Sequence, residues 1–321
     1  MRATASATPT HTPVPKRSAF ARTLPFWLLL PGLLIIAAIQ LYPSLFTFYL
    51  SVQRIEPGTG RYVFRGLDNF ARLLSTQQFQ ESLAHTVLFL GGYCAFTLAC
   101  ALGIALLLRQ RVRLSPLYIT LIFVPWVLSD VVAGVIWRLF VVPEYGLFSP
   151  FFANPDLFGG SRGISILTSP AAPSILGDLP FPPAPALIFL MLASAWKILP
   201  FTTLLILAAL QTVPQEVLES GSIDGATGRQ SFRYITLPLI LPTLAVTLFN
   251  LTLGGINGVG MVFSLTGGGP GTATEVLSYL LYSIGFARLD FGLAAALSTL
   301  MSMLNLVLVV STLRLTGVQE D

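Results

Sequence analysis

Six apolar stretches, each roughly 20 residues or more, set the terms for this chain. A run of that length crosses a ~30 Å hydrocarbon core as a helix. The stretches run from about Pro25 to Val52, His85 to Leu108, Leu117 to Phe140, Ala186 to Leu210, Leu237 to Val259 and Gly292 to Leu313. Composition agrees: 54% of the 321 residues are hydrophobic and 10% charged, against about 25% charged in a soluble domain. The expected fold is all-α, a polytopic membrane protein with six transmembrane helices. A net charge of +4 spread over short loops is no nucleic-acid signature. Cys94 and Cys100 share one apolar stretch. Six residues apart, they point about 240° apart on a helix, which suits neither a disulfide nor a metal site.

Residues 1–22 read as a basic, disordered cytoplasmic tail rich in Ala, Thr and Pro. A signal peptide is the competing reading. The apolar stretch after the tail is too long for a signal core, and no small-residue cleavage site closes it. Residues 23–80 hold the first span and an external loop, 81–315 the remaining five spans, and 316–321 a cytoplasmic tail. Arg109, Arg111 and Arg113, with Arg229, Arg233 and Arg314, fall on the side of the basic tail if the spans number six. The positive-inside rule then makes both termini cytoplasmic. Arg54, Arg61, Arg65 and Arg72 dilute that signal on the other side, among Glu56, Asp68 and Glu81. The 141–185 loop, with its FPPAP run, is expected to be external and irregular.

One polar island, Gln211 to Pro242, interrupts two apolar blocks. Thr212 with Gln215 forms a capping-box pattern, with Pro214 in the first turn. A helix through Glu216 to about Ser222 is expected, then a break at Asp224-Gly225, because Gly allows a left-handed backbone. Thr227 with Gln230 repeats the capping pattern and starts a second helix carrying Phe232, Tyr234 and Ile235 to Pro238. Its apolar side chains are too few for an independent domain, so the hairpin lies on the membrane or docks on a partner.

Polar residues inside the spans are costly and tend to line cavities or interfaces. Asp130 and Lys197 are the charged ones. They pair with each other or a neighbouring subunit, or they serve a translocation path. Arg138, near a span end, is expected to snorkel. Asn250, Asn257 and Asn305 suit either interhelical hydrogen bonds or contact with a hydroxylated substrate, and Trp196 could offer a flat face to one. Gly254, Gly255, Gly258 and Gly260 leave small-faced surroundings for Asn257.

The run Glu219-Ser220-Gly221, Asp224-Gly225-Ala226, Phe232 and Leu237-Pro238 resembles the EAA motif of ABC-importer permeases, with Ser220 and Gly221 where that motif has alanines. Ser264 to Pro270, Thr274-Glu275, Tyr282, Phe286, Asp290-Phe291-Gly292 and Ala294 to Ala296 resemble the external segment of the carbohydrate-uptake branch. Gly66 to Phe70, Trp196-Lys197 to Pro200, and Leu210-Gln211 to Pro214 match the same branch, so the resemblance covers most of Gly66 to Leu315. It implies a type I ABC-importer permease in a bacterial or archaeal inner membrane, similar to sugar and glycerol-phosphate permeases of the maltose-transporter type. The implied partners are a second homologous permease, two cytoplasmic ATPase subunits carrying ATP-Mg, an extracytoplasmic solute-binding protein, membrane lipid and a sugar. By the same resemblance Glu219, Asp224, Gly225 and Ala226 belong to the ATPase-coupling loop. No catalytic residue, cofactor or metal is expected on the chain itself. Asp130 departs from the family, where that position is usually uncharged. The Gly267 to Pro270 run lacks the Lys-Ser or Lys-Thr of a phosphate loop and is expected to make a tight external turn. Thr272 and Glu275 would then cap a short amphipathic surface helix. Two other readings stay open. One is a self-contained secondary transporter or channel, though no internal repeat is evident. The other is an ABC permease for a non-sugar solute.

Overall fold

The computed structural model describes residues 19–55, 60–109, 115–142, 145–147 and 183–315. Most of the basic tail, most of the 141–185 loop and the last six residues lie outside these, as do Arg111 and Arg113. The chain divides into two units at Tyr49. The first holds α1 (Ala19–Ile36), a π turn (Ala37–Leu41) and most of α2 (Tyr42–Ser51).

The second unit opens with a two-stranded antiparallel hairpin, β1 (Gln53–Ile55) and β2 (Tyr62–Phe64). A small strand pair thus joins the otherwise helical fold. Then come α3 (Asp68–Ser75), α4 (Gln77–Leu108), α5 (Ser115–Val127), α6 (Asp130–Phe140) and α7 (Pro185–Gln211). The short α8 (Gln215–Ile223) and α9 (Gly228–Ser231) precede α10 (Leu237–Asn257). The opposite end of α10 leads to α11 (Gly260–Leu265), α12 (Leu277–Tyr282) and α13 (Phe291–Leu315).

Among the described residues, five helices are long and apolar enough to cross a bilayer: Phe26–Ser51, Gln77–Leu108, Pro185–Gln211, Gly228–Asn257 and Phe291–Thr312. The third expected span is not one helix. α5 and α6 meet at a 102° bend. Pro125 inside α5 removes a ladder hydrogen bond. Ser129 then adopts an extended backbone and caps α6, its hydroxyl accepting from the Val132 N–H at 3.3 Å. The Ser-Asp pair closing an apolar run is a helix-start signal, and it puts Asp130 at a helix N-terminus rather than in mid-span.

α4 and α7 pack along one another; α4 contributes to all three apolar clusters and α7 to two of them. One cluster adds side chains of α6, α11 and α12, another those of α3 and α13. Two of the motifs read from the sequence meet in this core. Asn69, 1% exposed, donates to the carbonyls of Ser51 at 2.9 Å and Gln53 at 2.8 Å. Gly292 lies against the same place, where a Cβ would collide with the Gln53 carbonyl. Asp290 caps α13 by accepting from the Leu293 N–H and sits 3.6 Å from Arg72. The Gly66–Phe70 and Asp290–Gly292 motifs are two halves of one joint.

Candidate functional site

The polar island folds as a capped hairpin at the foot of α10. α7 ends at Thr212, whose helical backbone turns its hydroxyl back to the Ala209 carbonyl at 2.8 Å. The expected Thr212–Gln215 capping box therefore does not form. Pro214 is itself the N-cap of α8, outside its first turn, and Gln215 donates to Glu219 at 3.3 Å instead.

The Asp-Gly-Ala sequence then ends α8 by a Schellman motif. Gly225 takes φ +83°, a left-handed conformation that costs other residues a Cβ–carbonyl clash. The Ala226 N–H reaches the Gly221 carbonyl at 2.9 Å, and the Gly225 N–H reaches Ser222 at 3.1 Å. Thr227 and Gln230 form the reciprocal capping box read from the sequence. The second helix, however, does not stop at Pro238. It runs as one rod from Gly228 to Asn257. A π turn over Phe232–Thr236, with the Leu237 N–H bonded to the Phe232 carbonyl, precedes Pro238. The proline so falls in the first turn of regular helix, where its missing N–H matters least.

Leu218 and Val213 anchor the hairpin on the cluster formed by α4, α7 and α10. Gly221 faces the π turn so closely that a Cβ would come 2.6 Å from Ile235 Cδ1. Glu219, Ser220, Asp224, Gly225 and Pro238 are exposed, while Ala226 and Phe232 are half-buried. Ile223 is 86% exposed and Tyr234 70%. With Val217 at 42%, three large hydrophobic side chains thus stand exposed on a polar hairpin, Ile223 the most. Ile223 was not singled out from the sequence, although an apolar residue directly before the Asp-Gly break is where such a tip residue belongs.

A second feature lies beside the bend. A cavity of about 190 Å³ is lined by Phe89, Tyr93, Asp130, Ser194, Lys197, Ile198, Gly254, Gly255, Gly258, Met261 and Val262. Lys197 Nζ donates to Asp130 Oδ1 at 2.6 Å. The N-terminus of α6 adds its positive dipole end to the carboxylate's surroundings. The glycines of α10 form part of the wall, and no side chain there fills the space. The other expected path residues lie elsewhere. Trp196 stacks edge-on against Trp137, 5.6 Å between ring centroids, within the core. Asn305 donates to Asn257 at 3.3 Å, and Asn257 to the Leu253 carbonyl at 2.8 Å, a hydrogen-bonded link between α13 and α10. Asn250 is exposed on α10. Phe89, Tyr93, Ser194 and Met261 come to the cavity unannounced by any sequence motif, because only tertiary packing brings these helices together.

At the other end of α10 the glycine-rich run does make a tight turn, with Gly267, Gly268 and Gly271 at φ +61°, +85° and +58°. Its polar residues point inward. The Thr274 hydroxyl donates to the Gly269 carbonyl at 2.8 Å, and the Leu277 N–H donates to the Thr86 hydroxyl at 2.9 Å. Thr272 and Glu275 cap nothing: α12 starts after Val276 without a side-chain cap. Thr272 donates to Glu81 at 3.1 Å, and buried Glu275 accepts from Gln78 at 2.8 Å, so both lock the turn to the start of α4. Burial pushes the Tyr279 hydroxyl pKa up, and the Glu275 carboxylate adds to the shift.

Long apolar helices, a broken helix pair and an exposed capped hairpin are the features of a multi-pass membrane protein. Residues 95–316 match the family described as the binding-protein-dependent transport system inner membrane component, and the chain belongs to that family. It is 31% identical over 307 residues to the trehalose/maltose transport system permease protein MalF of Thermococcus litoralis, covering 93% of this chain and 95% of that protein. The sn-glycerol-3-phosphate transport system permease protein UgpA of Rhizobium meliloti is 31% identical over 291 residues, covering 87% and 90%. The fold is shared with a chain of a bacterial alginate ABC transporter, crystallised with an alginate pentasaccharide-bound periplasmic protein. The TM-score is 0.72 at 23% identity, over 93% of this chain and 96% of that one.

Proposed function

We propose that the chain is one permease subunit of an ATP-driven importer for a carbohydrate or polyol. It forms the path with a second permease and is driven by two ATPase subunits that bind ATP-Mg. The observation carrying this reading is the 211–238 hairpin. It is held rigid by a Schellman turn, a capping box and the Leu218 anchor, yet it leaves Ile223 and Tyr234 uncovered. A stiff lever with an apolar tip suits a groove on another protein better than it suits water. Relatives named as trehalose/maltose and glycerol-phosphate permeases supply the solute class. In this reading the hairpin faces the cytoplasm, both termini lie on that side, and a solute-binding protein delivers cargo opposite.

The test is a cross-link. With Ile223 replaced by a photo-reactive residue in the assembled transporter, illumination should join the chain to its ATPase, and ATP should change the yield. Uptake by this chain alone in liposomes, driven by an ion gradient, would instead make it a secondary transporter.

A further inference from the structure

We propose that the Asp130–Lys197 pair is a specificity element that receives a neutral vicinal diol of the cargo and turns anionic cargo away. The proposal rests on the permease reading and narrows it. An unpaired lysine in a membrane cleft would be a receptor for phosphate or carboxylate. Here Asp130 neutralises it at 2.6 Å, and the order of the two groups matters. The Asp130 side chain is 46% exposed and that of Lys197 19%, so a solute entering the cavity meets the carboxylate first. An anion finds no unpaired cation there, because the lysine's charge is already met by the carboxylate that stands in front of it. A neutral saccharide does find partners, because one hydroxyl can donate to the second carboxylate oxygen while its neighbour accepts from an ammonium N–H that the ion pair leaves over. Ammonium has three donors and carboxylate several lone-pair sites, and hydrogen bonds to charged partners are the stronger kind.

The rest of the cavity fits the same ligand. Gly254, Gly255 and Gly258 keep one wall free of side chains, and Phe89 and Met261 offer apolar surface to the C–H face of a ring. A volume near 190 Å³ lies below the roughly 300–1,000 Å³ of drug-sized ligand sites, a scale that suits one ring rather than a chain of them. The competing role, a strut joining α6 to α7, would use the same two residues without any ligand.

The experiment uses the whole transporter with its own partner subunits in proteoliposomes. It is energised by ATP and offered a neutral disaccharide, glycerol 3-phosphate or a uronate oligosaccharide. Wild type should prefer the neutral sugar by at least about tenfold in uptake. Asp130→Asn should erode that preference toward the anions, and Lys197→Met should raise the KM for the neutral sugar. Either single change leaves a partner unpaired and so risks assembly. The pair is therefore also replaced together, as Asp130→Leu with Lys197→Met, since an apolar substitute commonly stands in for a structural ion pair. Recovered assembly with uptake still reduced about tenfold or more supports the proposal. Recovered assembly with normal neutral-sugar uptake makes the pair a strut and overturns it while leaving the permease reading intact. Preference of wild type for either anion overturns it in the same way. No ATP-driven uptake of any of the three overturns both.

Discussion

At one end of the Gly228–Asn257 helix, Gly225 closes a turn at φ +83°; beyond its other end, Gly268 does so at φ +85°. The backbones agree and the surroundings do not. A Cβ at Gly225 would meet nothing within 4 Å, whereas at Gly268 it would sit 2.6 Å from the Tyr279 ring. Around Gly268 the side chains of Thr272, Thr274 and Glu275 are spent on the protein's own α4 and turn. Around Gly225 the residues are capped among themselves and otherwise exposed. A motif whose side chains are used internally serves the fold. One whose side chains remain open, on a backbone this firmly set, is where the contact proposed above for a partner subunit falls.

The largest effect expected is the divergence of two matched substitutions. Gly268→Val combines left-handed strain of about 1–2 kcal/mol with overpacking of about 1–3 kcal/mol. Its signature should be loss of folded protein from the membrane. Gly225→Val carries the strain alone. That strain falls on an exposed turn that can open locally, so the membrane level and melting temperature of the subunit should stay near wild type while ATP-coupled uptake falls at least about tenfold. Equal membrane losses from the two would erase the contrast, and normal uptake by Gly225→Val would remove the hairpin from coupling.

Next in size is Thr86→Val, which keeps shape but strips the hydroxyl from the buried Leu277 N–H. An orphaned buried donor costs about 1–3 kcal/mol, so the thermal midpoint of the purified subunit should fall. Gln230→Ala, which breaks the capping box on the exposed side, should cost about 1 kcal/mol locally with little change in that midpoint. A global fall for Gln230→Ala would mean the hairpin is as integral to the fold as the glycine-rich turn.

What could be read from the sequence follows the same division. The spans were legible because length and apolarity answer to the bilayer alone, and the Asp-Gly-Ala turn because its cause is local. The reading failed where tertiary partners override a local signal. Thr212 and Gln215 have capping chemistry, but Thr212 is already the end of α7. Thr272 and Glu275 look like a cap and are taken by α4. The break at Ser129 was present as a cap signal and masked by hydropathy, which averages across it. The meeting of Asp130 with Lys197 was open as one possibility, while Tyr93 and Ser194 beside them were not, since no spacing rule links helices so far apart in the chain. For Asn257 and Asn305 an interhelical hydrogen bond was one of two open readings; the structure joins them, and a double-mutant cycle with alanine should give a coupling of about 0.6 kcal/mol.

The smallest effect expected is also the finest test of the hairpin. Ser220 and Gly221 stand where the EAA motif that this run resembles has alanines, and the structure separates the two. Ser220 is exposed, so Ser220→Ala gains helix propensity of a few tenths of a kcal/mol and touches nothing else in the subunit. Gly221→Ala gains about 0.8–1 kcal/mol of propensity, but its methyl must push aside Ile235 Cδ1 at 2.6 Å. That atom is the flexible tip of a half-buried side chain, so the displacement is small and the net change in subunit stability should stay within about 0.5 kcal/mol. Coupled uptake can still respond, because the methyl sets the spacing between α8 and the foot of α10. If Gly221→Ala alters ATP-coupled uptake while Ser220→Ala does not, the glycine tunes the angle of the lever. If only Ser220→Ala alters it, the serine hydroxyl contacts the partner directly.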